Sequence, residues 1–143
     1  MDTLNFDKAK RRVGSNQTPR EYYDFIISGQ SLRKILNIEN ADFISPFGWG
    51  VNKEYDRHLL NVFRLKEKSE LTSGRIMLYV CPECGDIDCG AITVKIKDFG
   101  DRIIWSDFGF ETNYGGQSES YDQIEPIEFN RSDYFSAFLK IPV

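Results

Sequence analysis

The chain has 143 residues, of which 41% are hydrophobic and 28% are charged, and its formal net charge is −4. This length and composition are typical of one globular domain spanning residues 1–143, with enough apolar residues for a core, and they exclude a disordered chain. Residues 1–20 form a polar segment, and no run of about 18 apolar residues occurs, so we expect neither a cleaved signal nor a membrane span and predict a cytoplasmic protein.

The first half of the chain predicts one strand and two helices. Residues 21–28 alternate apolar and polar side chains, which is the period of a strand. Ser31 is placed to cap a short helix that follows it, because its hydroxyl can accept a hydrogen bond from a free amide of the first turn. Residues 42–52 combine glycines, a proline and aromatic side chains and predict a loop, whereas residues 53–65 have apolar side chains at helical spacing.

The second half changes to the two-residue period of strands joined by short turns. Its predicted strands lie at residues 75–80, 91–97, 102–110 and 124–129. Residues 98–101 predict a hairpin turn, and residues 113–120, which are rich in Gly and Ser, predict a loop. Together with the helices, this order predicts an α+β fold in which a twisted antiparallel sheet is flanked by helices.

Two apolar patterns predict which side chains face the core. In the strand at residues 102–110, we expect one face to carry Ile104, Phe108 and Phe110 and the opposite face to carry Trp105 and Asp107. A last helix follows its predicted cap, Asn130. The expected buried stripe of this helix consists of Tyr134, Phe135, Phe138 and Leu139.

Three cysteines lie close together between the first two strands of the second half. Cys81, Cys84 and Cys89 all occur in the run CPECGDIDCG, and an odd number of cysteines without an export signal predicts thiols and not a disulfide framework. The CPxCG half is typical of zinc knuckles, but a closed zinc site needs four ligands. The candidates for the fourth ligand are His58, Asp86, Asp88 and a residue of a partner.

This cysteine loop allows three interpretations. The cysteines can pack beside the sheet without a cofactor, they can bind zinc, or they can form a redox pair. The redox alternative lacks the βαβ setting of thioredoxin-like proteins, and Pro82 and Glu83 supply no positive charge to favour a thiolate. The sequence therefore predicts no cofactor, with zinc as the alternative.

Other catalytic patterns in the sequence are incomplete. His58 lies on the border of the apolar face of its helix, and no third group accompanies a Cys and His pair. Asp-Phe-Gly at residues 98–100 and 107–109 copies a protein-kinase triplet, but the chain has no Gly-rich phosphate loop and no His-Arg-Asp loop. We therefore predict no catalytic residues and a protein that is not an enzyme.

The charge is concentrated in the second half of the chain. Residues 1–80 contain 13 Lys and Arg against 10 Asp and Glu, whereas residues 81–143 contain 5 against 12. An acidic half repels phosphate, which disfavours nucleic acid as a partner, and it attracts a basic protein. Carboxylates and tyrosines around residues 113–120 would suit such an interface, although a solvated acidic surface that binds nothing is the alternative. The candidate partner-binding residues are Glu111, Tyr114, Glu119, Tyr121, Asp122 and Glu125.

The run CPECGDIDCGAITVKI, followed by IIWSDFGFE, resembles a group of small bacterial proteins that carry CxxCGDxxCGA before a W-x-D-F-G strand. In size, acidity and single-domain organisation, the chain also resembles the immunity proteins of contact-dependent inhibition and other polymorphic toxin systems. The second resemblance implies a cytoplasmic protein that binds and neutralises a basic toxin domain, and it carries over no individual residue. The alternatives are a zinc-binding accessory or regulatory protein built on the cysteine loop and a thiol oxidoreductase.

Overall fold

The computed structural model describes residues 1–11, 14–113 and 116–142, and for residues 116–119 it describes the backbone. The strands in the described residues are β1 (Leu4–Lys10), β2 (Glu21–Ile27), β3 (Gln30–Ser31), β4 (Ile76–Val80), β5 (Ala91–Asp98), β6 (Arg102–Thr112), β7 (Gly116–Ser120) and β8 (Ile127–Asn130). The helices are α1 (Leu32–Ile35), α2 (Lys53–Phe63) and α3 (Arg131–Ala137). Within this part of the chain, no helix is long and apolar enough to cross a membrane.

The strands form two antiparallel sheets. In the first sheet, β2 pairs with β1 on one side and with β3 on the other. In the second sheet, β5 lies between β4 and β6, and the other edge of β6 pairs with β7 along one half and with β8 along the other. The predicted α+β class is confirmed, with the strands divided between two sheets instead of one.

The strand β1 lies within residues 1–20, for which the sequence predicts only a polar segment. Leu4 is buried and Phe6 packs against the core, whereas Asp7 and Lys8 face solvent. Lys8 Nζ lies 3.4 Å from a carboxylate oxygen of Glu21 in β2. Because only two large apolar side chains alternate here, the strand is defined by its pairing with β2 more than by its own pattern.

The two sheets share one aromatic core around Phe25 of β2, whose side chain is fully buried. Rings from β1, the loop before α2, α2 itself, β4 and β6 surround it. These rings belong to Phe6, Phe47, Phe63, Tyr79 and Trp105. The aromatic loop at residues 42–52 therefore contributes to the core, because Phe47 turns inward between the two sheets and α2.

A β-bulge changes which side chains of β6 face the core, relative to the strict alternation that the sequence predicts. The pairing of β5 with β6 is irregular beside Asp107, whose φ is +57°. The extra residue reverses the alternation of side chains along the strand. As a result, Trp105 and Phe108 both face the core, at 0% and 1% exposure. Trp105 and Phe108, predicted on opposite faces, thus share the core side, while Ile104 and Phe110 are half-buried.

A buried guanidinium holds this bulge in place. Arg75, directly before β4, is 2% exposed. Its Nε donates to Thr93 Oγ1 at 2.8 Å, its Nη1 donates to Asp107 Oδ2 at 3.0 Å, and its Nη2 donates to the backbone oxygen of Asp107. A carboxylate oxygen of Glu111 lies 3.5 Å from the same Nε. Two carboxylates thus compensate the buried positive charge and connect β4, β5 and β6.

Two short strands follow β6, and both differ from their predicted extents. Residues 113–120, predicted as a loop, contain β7, which pairs with the C-terminal half of β6. The strand predicted at residues 124–129 begins only at Ile127, directly after Pro126. The Gly- and Ser-rich sequence of β7 does not alternate apolar and polar side chains. The strand forms because β6, which is 11 residues long, extends far enough to provide backbone hydrogen-bond partners for it.

The predicted helix caps are confirmed, but the buried stripe of the last helix is shorter than expected. Ser31 Oγ accepts a hydrogen bond from the Arg33 amide at 3.2 Å, and Asn130 Oδ1 accepts one from the Asp133 amide at 3.0 Å. Leu139, predicted to be buried, is 73% exposed. The chain changes from α3 to a 3₁₀ turn at Phe138–Lys140, and the tighter turn rotates Leu139 toward solvent.

The substitution Phe138→Ala should lower the free energy of unfolding by about 3–5 kcal/mol, because it removes a buried ring and leaves a cavity. Phe138 is 2% exposed and lies against the rings of Phe6 and Tyr134. Leu139→Ala, at the exposed neighbouring position, is the matched control and should change stability little. Denaturant unfolding monitored by circular dichroism measures both, and equal midpoints for the two variants would contradict this description of the core.

Candidate thiol site between β4 and β5

The cysteine loop, residues 81–90, connects β4 to β5. Its two ends are held side by side, because Val80 of β4 pairs with Ala91 of β5. Val80 also exchanges two backbone hydrogen bonds with Ile44, at 2.8 and 3.0 Å, which connect β4 to the loop before α2. The strand ends therefore form a rigid base on which the cysteines are presented.

Two Cys-Gly pairs determine the shape of this loop. Gly85 and Gly90 follow Cys84 and Cys89, with φ values of +71° and +83°. The Gly85 amide donates to the backbone oxygen of Cys81 at 2.9 Å and thereby closes the first turn. A second, 3₁₀ turn covers Ile87–Cys89. Because left-handed φ values favour glycine, the two glycines allow the chain to fold back twice within ten residues.

The three sulfur atoms converge at the centre of the loop. The Sγ atoms of Cys81, Cys84 and Cys89 all lie within 4.8 Å of one another. Cys84 and Cys89 are joined in a disulfide, with their Cα atoms 6.5 Å apart, whereas Cys81 carries a free thiol. The sequence predicts three thiols, and this prediction is wrong for the bonded pair, because the 3₁₀ turn returns Cys89 to Cys84.

The expected fourth ligands do not join this cluster. Within the described residues, the group contains the three cysteines and no carboxylate or histidine. His58 Nδ1 instead lies 2.6 Å from Glu67 Oε2. Asp86 Oδ1 accepts a hydrogen bond from the Asp88 amide at 2.9 Å and so caps the 3₁₀ turn. In the part of the chain that the structure describes, the candidate fourth ligands of this chain therefore lie outside the cysteine cluster.

Arg11 and Arg20, which are distant from the cysteine loop in sequence, form hydrogen bonds with it. Arg11 is 7% exposed and donates to Glu83 Oε1 at 3.0 Å and to Asp42 Oδ2 at 2.6 Å. The hydrogen bond to Asp42 is the main cause of the raised pKa of Arg11. Hydrogen bonds from Thr18 and then from Arg11 hold the pKa of Glu83 below its ordinary value. Both groups therefore keep their charges near neutral pH.

The second of these arginines, Arg20, donates from Nε to the backbone oxygen of Pro82 at 3.1 Å. Its guanidinium lies 4.7 Å from the centre of the Trp49 ring, and that ring packs against Gly85. The sequence gives no local positive charge beside the cysteines. The fold brings Arg20 to the backbone of the loop, whereas the charge of Arg11 is compensated by Asp42 and Glu83. No sequence spacing indicates this contact, because 62 positions separate Arg20 from Pro82.

The six candidate partner-binding residues do not form one exposed surface. Glu111 is 4% exposed and accepts a hydrogen bond from Ser73 Oγ at 2.9 Å, so its carboxylate belongs to the Arg75 network. Tyr121 is half-buried against the core. Asp122 and Glu125 are exposed. The remaining two, Tyr114 and the side chain of Glu119, lie outside the described residues.

Comparison of the chain with protein-family models, with curated proteins and with solved structures found no match. The chemistry of the described residues is therefore the basis for a functional proposal. Three sulfur atoms at this distance can bind one soft metal ion when reduced, or can exchange a disulfide when oxidised.

The substitution Gly90→Ala should destabilise the protein by about 2–5 kcal/mol, because it combines a left-handed φ with overpacking. A Cβ atom at Gly90 would collide with the ring of Phe110. Gly100→Ala is the matched control: Gly100 has a φ of +91°, but nothing lies within 4 Å of its Cβ position, so about 1–2 kcal/mol is expected. Equal melting temperatures for the two variants would contradict the close contact of this loop with β6.

Proposed function

We propose that the reduced chain is a zinc-binding protein whose ligands are the thiolates of Cys81, Cys84 and Cys89. The observation that carries this proposal is the convergence of the three Sγ atoms within 4.8 Å of one another. Three thiolates that bind one zinc ion at about 2.3 Å hold their sulfur atoms about 3.8 Å apart. Reduction of the bond between Cys84 and Cys89, followed by a small relaxation of the loop, would provide this spacing.

The exposure of the cysteines favours a chemical role over a packing role. A cysteine that only fills space behaves as a small apolar residue and is usually buried. Cys84 and Cys89 are exposed, and Cys81 is half-buried. The loop instead packs against the protein through Gly85 on Trp49, Gly90 on Phe110 and Ile87 on the cluster around Val80.

The fourth zinc ligand in this proposal comes from outside the cluster. A zinc ion with three protein ligands retains one position for water or another ligand. A groove of about 230 Å³ borders Cys84 and is lined by Arg20, Trp49 and Tyr55, which leaves room for one side chain of a partner. We therefore assign the chain a regulatory or accessory role in which the metal mediates binding and not catalysis.

Untagged protein purified and kept under a thiol reductant should bind one zinc ion per chain. The expected readouts are elemental analysis and the thiolate-to-metal absorption that appears when cobalt replaces zinc. A variant with all three cysteines replaced by serine should lose both signals, while circular dichroism reports whether it folds. Reduced wild-type protein that remains metal-free in the presence of excess zinc would contradict the proposal.

A second candidate function is an immunity protein that neutralises a basic toxin domain by binding it. The observation in its favour is the acidic second half of the chain, where the exposed carboxylates of Asp122 and Glu125 form no ion pair with any described residue. Exposed, unpaired carboxylates are available to attract a basic surface.

Reversal of these two charges, in Asp122→Lys with Glu125→Lys, should slow association with a basic toxin domain about tenfold at low salt, because such charges act mainly on the association rate. The matched control reverses two exposed acids of the first half, Asp7→Lys with Glu39→Lys, and changes the net charge equally. The test begins by establishing whether the reading frame upstream of this one encodes a toxin domain, and it uses that domain as the binding partner. Equal association rates for the two variants would exclude this surface.

A further inference from the structure

We infer that the three-cysteine site is gated by oxidation: a hydroperoxide converts Cys84 and Cys89 to a disulfide and releases the zinc ion, while Cys81 remains a thiol. This inference rests on the proposed zinc site and adds its regulation. It starts from the covalent state of the cluster, in which Cys84 and Cys89 are bonded and Cys81 is free. A sulfur atom in a disulfide is no longer a thiolate, so the disulfide and the three-thiolate site exclude each other.

The identity of the bonded pair follows from the fold of the loop. Cys84 and Cys89 are exposed, whereas Cys81 is half-buried at the end of β4. The Cα atoms of the bonded pair are 6.5 Å apart, which lies in the range that a disulfide spans without movement of the strands. A small oxidant in solution therefore reaches these two sulfurs first, and the backbone needs little rearrangement for them to bond.

The chemistry uses one hydroperoxide molecule for each disulfide. The thiolate of one exposed cysteine attacks an oxygen of hydrogen peroxide, the O–O bond breaks, and a sulfenic acid and a hydroxide ion form. The second thiolate then attacks the sulfenic sulfur, the S–S bond forms, and a second hydroxide leaves. The two cysteines together lose two electrons, and the peroxide gains them. Zinc is left with the single thiolate of Cys81, which is too few ligands to retain it.

The arginine contacts that hold the loop do not involve the sulfur atoms. Arg20 is hydrogen-bonded to the backbone of Pro82, and Arg11 is paired with Glu83, so two guanidinium groups lie next to the Cys81–Cys84 turn. Neither arginine is bonded to a sulfur atom, so both remain in place in the reduced and in the oxidised state of the cluster.

The test follows zinc and thiols in the same sample. Reduced, zinc-loaded protein is titrated with hydrogen peroxide, a chromogenic chelator reports free zinc, and peptide mass mapping after alkylation reports the disulfide. We expect one zinc released per disulfide formed, a bond between Cys84 and Cys89, alkylated Cys81, and recovery of zinc binding after reduction. Zinc that stays bound after peroxide, zinc lost with sulfinic acid as the product, or a disulfide that includes Cys81 would each overturn the inference.

Two variants separate this inference from the zinc proposal. Cys81→Ser should still form the disulfide between Cys84 and Cys89 but should bind zinc far more weakly, whereas Cys89→Ser should lose both properties. Circular dichroism of the reduced proteins confirms that each variant folds. If reduced wild-type protein binds no zinc before peroxide is added, the zinc proposal itself fails. If it binds zinc and peroxide does not release the metal, only the gating fails.

Discussion

The charge of one buried arginine organises the second sheet, and the site depends on that sheet. Arg75 reaches from the start of β4 across β5 to the bulge in β6, where it donates to both the side chain and the backbone of Asp107. A guanidinium that is 2% exposed requires partners with compensating charge, so the bulge and Glu111 are fixed relative to β4. The same strand register brings Val80 beside Ala91 and closes the base of the cysteine loop.

Sequence patterns within single segments were sufficient to predict the α+β class. The errors in individual strands and buried residues arise where the structure depends on pairing between distant segments. The caps Ser31 and Asn130 act on amides two or three residues away, so they are readable from the sequence. The strand β1 and the burial of Trp105 depend on contacts with other strands, which no single segment encodes. Glu111 illustrates the same limit: its sequence neighbours indicate a surface acid, but its partner Arg75 is 36 positions earlier in the chain.

In the candidate site, too, the sequence predicts features set by neighbouring residues but not those set by distant ones. The spacing of the cysteines was sufficient to single out the loop, because short loops force their side chains together. The covalent state of Cys84 and Cys89 and the presence of Arg11 and Arg20 depend on how the loop folds and what packs beneath it. The contacts of this loop with Arg11, Arg20 and Trp49 involve Glu83, the Pro82 backbone and Gly85, and no sulfur atom.

The anchoring of Glu83 limits how the sequence can vary at a position that the motif leaves open. In CPxC the third residue is unspecified, but here its carboxylate accepts hydrogen bonds from Arg11 Nη1 at 3.0 Å and from the Thr18 amide at 3.1 Å. A residue without a side-chain acceptor would leave the buried Arg11 Nη1 with the Thr18 backbone oxygen as its remaining acceptor, and a neutral acceptor would leave its charge less compensated. In related chains that keep this architecture, residues 11 and 83 should therefore change together and remain a basic and acidic pair. Loss of this pair, in addition to loss of the cysteines, should mark chains in which the loop is no longer formed.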